Sequence, residues 1–180
     1  YFMNEDPVLF YIGRIQESKK LEQILDAMII LKTDNIETNL VIVGGSDSHY
    51  NFKEKIRDRN LEDKVWLVGP VYNEEDIAKY IYNANVCISP GNIGLTALHA
   101  LIYDTPIITH NNFAYQMPEF ETITDFENGL FFQENDTKDL ADKIKLILNL
   151  NLHQNNLSNI IHEKWNPIKQ IKIFKNAFNR

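Results

Sequence analysis

The chain has 180 residues, 44% hydrophobic and 24% charged, with a formal net charge of −7. That length suits about one domain with a real core, and the acidic balance argues against a nucleic-acid partner, which requires a basic surface. The single cysteine excludes an internal disulfide framework and suits a reducing compartment; no apolar run approaches the roughly 20 residues that span a bilayer, and no signal peptide is visible.

Residues 1–7 read as a tag or linker remnant, because "YFM" precedes Asn4 and the first convincing strand opens only at Val8. "VLFYI" (Val8 to Ile12) is a buried-strand candidate, and "KLEQILDAMIILK" follows with apolar residues at helical spacing. "NLVIVGG" is the next strand, "NFKEKIRDRN" a short helix and "KVWLVG" a strand. "NEEDIAKYIYNA" reads as a helix with Asn73 as its N-cap and acids in its first turn. "VCISP" is a strand carrying Cys87 as a buried thiol, "GLTALHALIY" a helix and "PIITH" a strand. "NGLFF" is a short strand, and "DTKDLADKIKLILNL" a helix capped by Asp136 or Thr137. One or two further helices, interrupted at Pro167, complete the tail. Repeated β-α units with continuously apolar strands predict an α/β fold, a Rossmann-like parallel sheet with helices on both faces.

Such sheets bind ligands beyond the carboxyl ends of their strands, so the residues after each strand carry the functional reading. In "GRIQESKK", Gly13 allows a tight turn, and Arg14 with Lys19 near a helix start forms either an anion clamp or a solvated basic turn partnered by Glu17. "GGSDS" permits close backbone approach to a phosphate, or is simply a sharp turn. In "ISPGNIGLTALHAL", Pro90 and Gly91 break the strand, and the N–H groups of Gly94, Leu95 and Thr96 face the ligand edge. That arrangement holds a phosphate without a charged side chain. The Thr96 hydroxyl can add a hydrogen bond, and His99 either reaches a sugar hydroxyl or bonds a neighbouring loop. In "THNNFAYQMPEFE", Asn111, Asn112, Gln116 and Glu119 offer donors and acceptors for a carbohydrate, with Phe113 and Tyr115 for stacking; a plain polar loop is the alternative. No G-x-G-x-x-G, P-loop, G-x-S-x-G elbow or metal-ligand spacing occurs.

The ordered set resembles the C-terminal, donor-binding domain of a GT-B glycosyltransferase, in the large retaining group often called family 4 (glycosyl transferases group 1). The landmarks are "FYIGRIQESKKLEQILDA", "LVIVGG", "VWLVGPV", "YIYNANVCISP", "GLTALHAL", "TPIITHNNFAYQMPEF", "NGLFF" and "DTKDLADKI", covering nearly all of residues 8 to 150. The resemblance implies that residues 8–152 bind a nucleotide-sugar and that residues 153–180 are helices packing back toward an N-terminal acceptor domain. It assigns Arg14 and Lys19 to the donor diphosphate, together with backbone groups of Asn92, Ile93, Gly94, Leu95 and Thr96. It assigns Val68, Val71 and Tyr72 to the base. The family usually carries Glu-x7-Glu across this turn and helix, the first acid on the donor sugar and the second on the ribose. Those positions are Gly91 and His99 here. His99 is then expected at the ribose, with Gly91, Asn92, Asn111, Asn112 and Glu119 around the sugar, and Arg14, Lys19 and His99 as the catalytic set.

The implied reaction is transfer of a sugar from a nucleotide diphosphate to an acceptor hydroxyl, retaining by family analogy, with no metal and no cofactor, in surface polysaccharide or glycan synthesis. The implied partners are the donor, the chain's own N-terminal domain and an acceptor glycan or lipid-linked sugar. The implied location is the cytoplasm, with peripheral attachment at the inner membrane surface in the full-length protein. The isolated chain is expected to turn over little. A sugar-nucleotide epimerase and a catalytically inactive nucleotide-sugar-binding module are the other readings, the latter because both family acids are absent.

Overall fold

The computed structural model describes residues 1–150, 152, 157–165 and 167–178. Six short apolar segments form one parallel sheet: β1 (Val8–Ile12), β2 (Asn39–Val43), β3 (Val65–Gly69), β4 (Val86–Ser89), β5 (Ile107–His110) and β6 (Gly129–Phe132), in the order β3-β2-β1-β4-β5-β6. The connecting helices are α1 (Glu22–Thr33), α2 (Phe52–Arg57), α3 (Glu74–Tyr82), α4 (Thr96–Ile102) and α5 (Thr137–Leu150), followed by α6 (Leu157–Lys164) and α7 (Pro167–Phe178). This is the expected Rossmann-like α/β arrangement.

Successive strand residues point to opposite faces, and each face builds its own core. Leu9, Leu40, Ile42 and Ile88 pack with Ile24, Leu25 and Leu31 of α1 and Leu140 and Ile144 of α5. Phe10, Val41, Val43 and Cys87 pack with Ile77 and Ile81 of α3 and Ala97, Ala100 and Leu101 of α4. Leu157 and Ile161 join the second cluster, so α6 closes over this domain's own α4, and the backbone N–H of Ser158 donates to Asp104 Oδ1 at 2.8 Å. The boundary expected between 152 and 153 falls beside residues 153–156, which lie outside the described residues.

Local signals set the helix starts. Asn73 caps α3 by accepting from the Asp76 N–H at 3.1 Å, and Asp136 rather than Thr137 caps α5, accepting from the Asp139 N–H at 2.9 Å. The start of α1 departs from expectation. Glu17–Lys19 form a 3-10 turn, Lys20 takes a left-handed conformation at φ 54°, and the α-helix begins only at Glu22. Lys19 therefore stands in a separate turn, not at the helix N-terminus. A tertiary contact accompanies the shift: the Lys20 ammonium is bound by Glu134 Oε1 at 2.7 Å and Asn135 Oδ1 at 2.8 Å in the β6–α5 turn.

The chain changes building direction between β1 and β4, which opens a crevice at their carboxyl ends. At that edge the turns after β1 and β2 come so close that a Cβ on Gly44 would sit 1.8 Å from the Gly13 carbonyl oxygen. Gly44 therefore serves the close approach of the two turns.

Candidate functional site

The turns after β1, β4, β5 and β6 converge on a cleft of about 360 Å³, lined among others by Lys19, Lys20, Gly91, Asn92, His110 and Glu134. A larger hollow of about 460 Å³ runs along the outer strand β3 and α2, around Trp66. It lies away from the crevice and gathers no set of converging functional groups. The switch-point cleft is the candidate site.

Arg14 and Lys19 reach this edge differently. Arg14 is exposed, and its guanidinium has no partner among the described residues; only its carbonyl is engaged, accepting from the Tyr11 hydroxyl at 3.0 Å. Lys19 is half-buried and donates to Asn92 Oδ1 at 2.6 Å and to the Asn92 carbonyl at 3.2 Å. Burial lowers its pKa. Lys19 thus ties the 3-10 turn to the turn after β4, while Arg14 is a free cation.

The turn into α4 shows which backbone groups remain available. The Ile93 N–H donates to Gln116 Oε1 at 2.8 Å and Ile93 is buried, so it offers no free N–H to a phosphate, contrary to the sequence assignment. The N–H groups of Gly94, Leu95 and Thr96 meet no acceptor among the described residues. The Thr96 hydroxyl donates to the Ile12 carbonyl at 3.3 Å, locking α4 to the end of β1. Gln116 is likewise consumed: its Nε2 donates to Thr109 Oγ1 at 3.0 Å and to the His110 carbonyl at 2.9 Å. It is a brace between two loops, not a free sugar ligand.

Gly91 has a steric reason for being glycine. A Cβ there would stand 2.8 Å from the Ser18 carbonyl oxygen and 2.9 Å from the Lys19 Cα, both backbone atoms. The position that carries an acid in the resembling family has no room here for any side chain.

His99, on α4, meets Glu74 at the first position of α3, with His99 Nε2 2.7 Å from Glu74 Oε1. The Tyr103 hydroxyl donates to the same oxygen at 2.7 Å. These two contacts, Tyr103 foremost, hold the Glu74 carboxyl below its usual range. Just upstream, Val68 and Val71 pack on the second core cluster and Tyr72 is almost fully exposed.

Around the sugar position the candidates divide. Asn92 Oδ1 is occupied by Lys19. Asn112 Nδ2 donates to Glu134 Oε2 at 2.6 Å, and Asn111 Nδ2 makes a long, exposed bond of 3.4 Å to Gln133 Oε1. Glu119 is different: its Oε2 is buried without a partner, 4.0 Å from where a Cβ on Gly94 would lie. An orphaned carboxylate oxygen is costly unless a ligand donor meets it.

Among the lining residues, Gln16, Ser18, Lys20 and Glu134 escaped the sequence reading of the site, and His110 was marked only by its place at the end of a strand. Lys20 and Asn112 hold the Glu134 carboxyl below its usual range. His110 Nδ1 accepts from the Asn112 N–H at 3.2 Å, which leaves Nε2 to carry the proton of the neutral ring. Burial, aided by Lys20 and opposed by Glu134, lowers its pKa and favours that neutral form. His110 was visible as the polar end of a buried strand; nothing local announces the pairing of Lys20 with Glu134. Among the described residues no three His, Cys, Asp or Glu side chains gather as metal ligands, and no helix is long and apolar enough to cross a membrane.

Comparison with known proteins supports the fold and identifies the family. An uncharacterized glycosyltransferase of Methanocaldococcus jannaschii is 27% identical over 96% of this chain and 45% of its own length. The chain spans less than half the length of these curated relatives. Among solved structures, a TarM variant of Staphylococcus aureus in complex with fondaparinux, α-GlcNAc-glycerol and UDP superposes with a TM-score of 0.79 at 21% identity, over 100% of this chain and 36% of that one. The C-terminal domain of a group 1 glycosyl transferase (LpcC) from Francisella tularensis superposes with a TM-score of 0.71 at 22% identity, over 88% of this chain and 86% of that domain. The family model for glycosyl transferases group 1 matches residues 2–164, and the chain belongs to that family.

Proposed function

We propose that this chain is the donor-binding, C-terminal domain of a family 4-type GT-B enzyme, which holds a nucleotide-diphosphate sugar for transfer to an acceptor hydroxyl in surface polysaccharide or glycan synthesis. The observation that carries the reading is the switch-point crevice, where the half-buried Lys19 lines the cleft, the turn after β1 also carries the unpaired Arg14, and the turn after β4 carries the free N–H groups of Gly94, Leu95 and Thr96. Cations and backbone N–H groups together neutralise a diphosphate. In this reading they also stabilise its charge as it leaves an oxocarbenium-like sugar, so that neither metal nor cofactor is required. The UDP bound by the TarM neighbour and the capsular-polysaccharide and poly(ribitol-phosphate) transferases among the relatives support the donor and product classes.

The base lies against Val68, Val71 and Tyr72, and His99 stands at the ribose. Asn92, Asn111, Asn112 and Glu119 face the sugar, with Gly91 contributing backbone alone. Glu119 is the strongest of these, because its buried oxygen lacks a partner. The acceptor site belongs to a preceding domain of the whole protein, in the cytoplasm with peripheral attachment to the inner membrane surface. The exposed Ile168, Ile171 and Phe174 of α7 supply an apolar face toward that domain. Alone, the chain binds donor and transfers little. The lack of room at Gly91 favours one second reading, a module that binds the nucleotide-sugar without catalysis.

The test is calorimetric titration with UDP, GDP, dTDP and ADP, without and then with Mg²⁺. One nucleotide should bind without metal, and Arg14→Ala and Lys19→Ala should each lose about 1.5–3 kcal/mol, the worth of charged hydrogen bonds. Binding untouched by both substitutions would remove the clamp. A panel of donors with the full-length protein then separates transferase from binding module, and a C2-epimerised sugar nucleotide formed without acceptor would identify an isomerase.

A further inference from the structure

We propose that Glu74 is the carboxylate that takes the ribose hydroxyls of the donor, with His99 and Tyr103 as the residues that position it. The proposal rests on the nucleotide-sugar reading above and names a residue that the reading leaves out. In this arrangement α3 supplies from its first position the acid that α4 lacks.

The contacts around Glu74 are unequal. His99 Nε2 and the Tyr103 hydroxyl both approach the same oxygen, Oε1, at 2.7 Å each. The second oxygen, Oε2, has no partner among the described residues, and the side chain remains 59% exposed. A surface glutamate at a helix start is ordinarily a solvated, mobile group. Two donors, one on α4 and one at its C-cap, meet the same oxygen of this one and leave the other oxygen accessible. Its neighbour Asp76 shows the ordinary case, bonding Lys79 on its own helix at 2.9 Å.

The location fits a ribose. His99 follows Thr96 by three residues, about 4.5 Å along the helix at 1.5 Å per residue. The nucleotide reading places the diphosphate at that turn, and a ribose lies one methylene and an ester oxygen beyond its phosphate. Glu74 also follows directly on Tyr72 and Asn73, so the segment assigned to the base leads into the residue assigned to the sugar joined to it. A carboxylate is the group that Rossmann-type sites use on ribose hydroxyls, because it accepts from hydroxyls without offering a competing donor. Of the two ring nitrogens of His99, Nε2 is already spent on Glu74, which leaves Nδ1 alone. Tyr103 and His99 also lower the Glu74 pKa, so its charge persists further into acid than that of an ordinary glutamate.

The experiment compares whichever of UDP, GDP and ADP binds this chain with its 2′,3′-dideoxy counterpart, by calorimetry. The chain should prefer the ribonucleotide by about tenfold or more, the worth of one charged hydrogen bond. In Glu74→Gln the two affinities should converge, and Tyr103→Phe should narrow the gap. The double variant Glu74→Gln with His99→Glu should reopen it, because it returns a carboxylate to α4. Thermal melting of Glu74→Gln should match the parent, since the side chain is largely exposed. A preference for the ribonucleotide that survives Glu74→Gln overturns the proposal and leaves the nucleotide reading standing. Binding of dTDP alone, which lacks the 2′-hydroxyl, also overturns it. No binding of any of the four nucleotides removes the nucleotide reading, and the proposal with it.

Discussion

Gly91→Ala tests the steric account of the missing acid with one methyl group. The added Cβ would meet the Ser18 carbonyl oxygen at 2.8 Å and the Lys19 Cα at 2.9 Å. Both are backbone atoms, so no flexible side-chain tip can swing away. The segment is also anchored on each side, by Lys19 to Asn92 at 2.6 Å and by Lys20 to Glu134 at 2.7 Å. Overpacking of this kind costs about 1–3 kcal/mol. For a chain of this size each kcal/mol lowers Tm by about 2–4 °C. The control is Gly45→Ala, where a Cβ meets nothing within 4 Å; it should stay within about 0.5 kcal/mol of the parent. Urea and thermal unfolding of the two variants, side by side, give the answer. Equal stability would mean that the 3-10 turn yields freely, and the steric reason for a glycine at this position would fall.

Gln116→Ala removes a bond to the Ile93 N–H and two to β5. It should lose about 2–3 kcal/mol in urea unfolding, as buried groups are left unpaired; a loss under about 0.5 kcal/mol would deny the brace. Burial pushes the Cys87 thiol up to about 12, so a thiol reagent should label the native chain only at the rate of its opening, and rapid labelling would contradict the buried position. Acid should act in two steps. His110 has a depressed folded pKa, so the unfolded chain binds more protons below its ordinary value of about 6.5, and stability should fall as pH drops through that region. Glu134 also has a depressed folded pKa, so its contribution is present above the ordinary glutamate value of about 4.3 and lost below it. Stability curves for His110→Gln and Glu134→Gln should each lack one limb; curves parallel to the parent would refute the assignment.

The elements were legible because each rests on neighbours in the chain. Continuous apolar runs marked all six strands, and Asn73 and Asp136 announced their helices by a cap that closes within one turn. Cys87 was legible as a buried thiol for the same reason, lying inside an apolar strand. Parallel strands place their following turns on one edge, so Gly13, Arg14, Gly91 to Thr96 and His110 to Asn112 could be marked as the ligand edge from order alone. The start of α1 was misplaced because Lys20 is a sound helix former by propensity. Its left-handed backbone accompanies a bond to Glu134, 114 residues away.

The other decisive contacts share that character. Glu74 meets His99 across 25 residues, and Gln116 closes on Ile93 across 23. Gly91 looked like a lost acid until the Ser18 and Lys19 backbone was seen against it. By itself the sequence determined the α/β order, the core and the edge where a ligand sits, because periodicity and capping act over one or two turns. Only the tertiary structure decided which polar groups at that edge are consumed as braces and which stay open, because each is settled by a partner brought from a distant strand or helix.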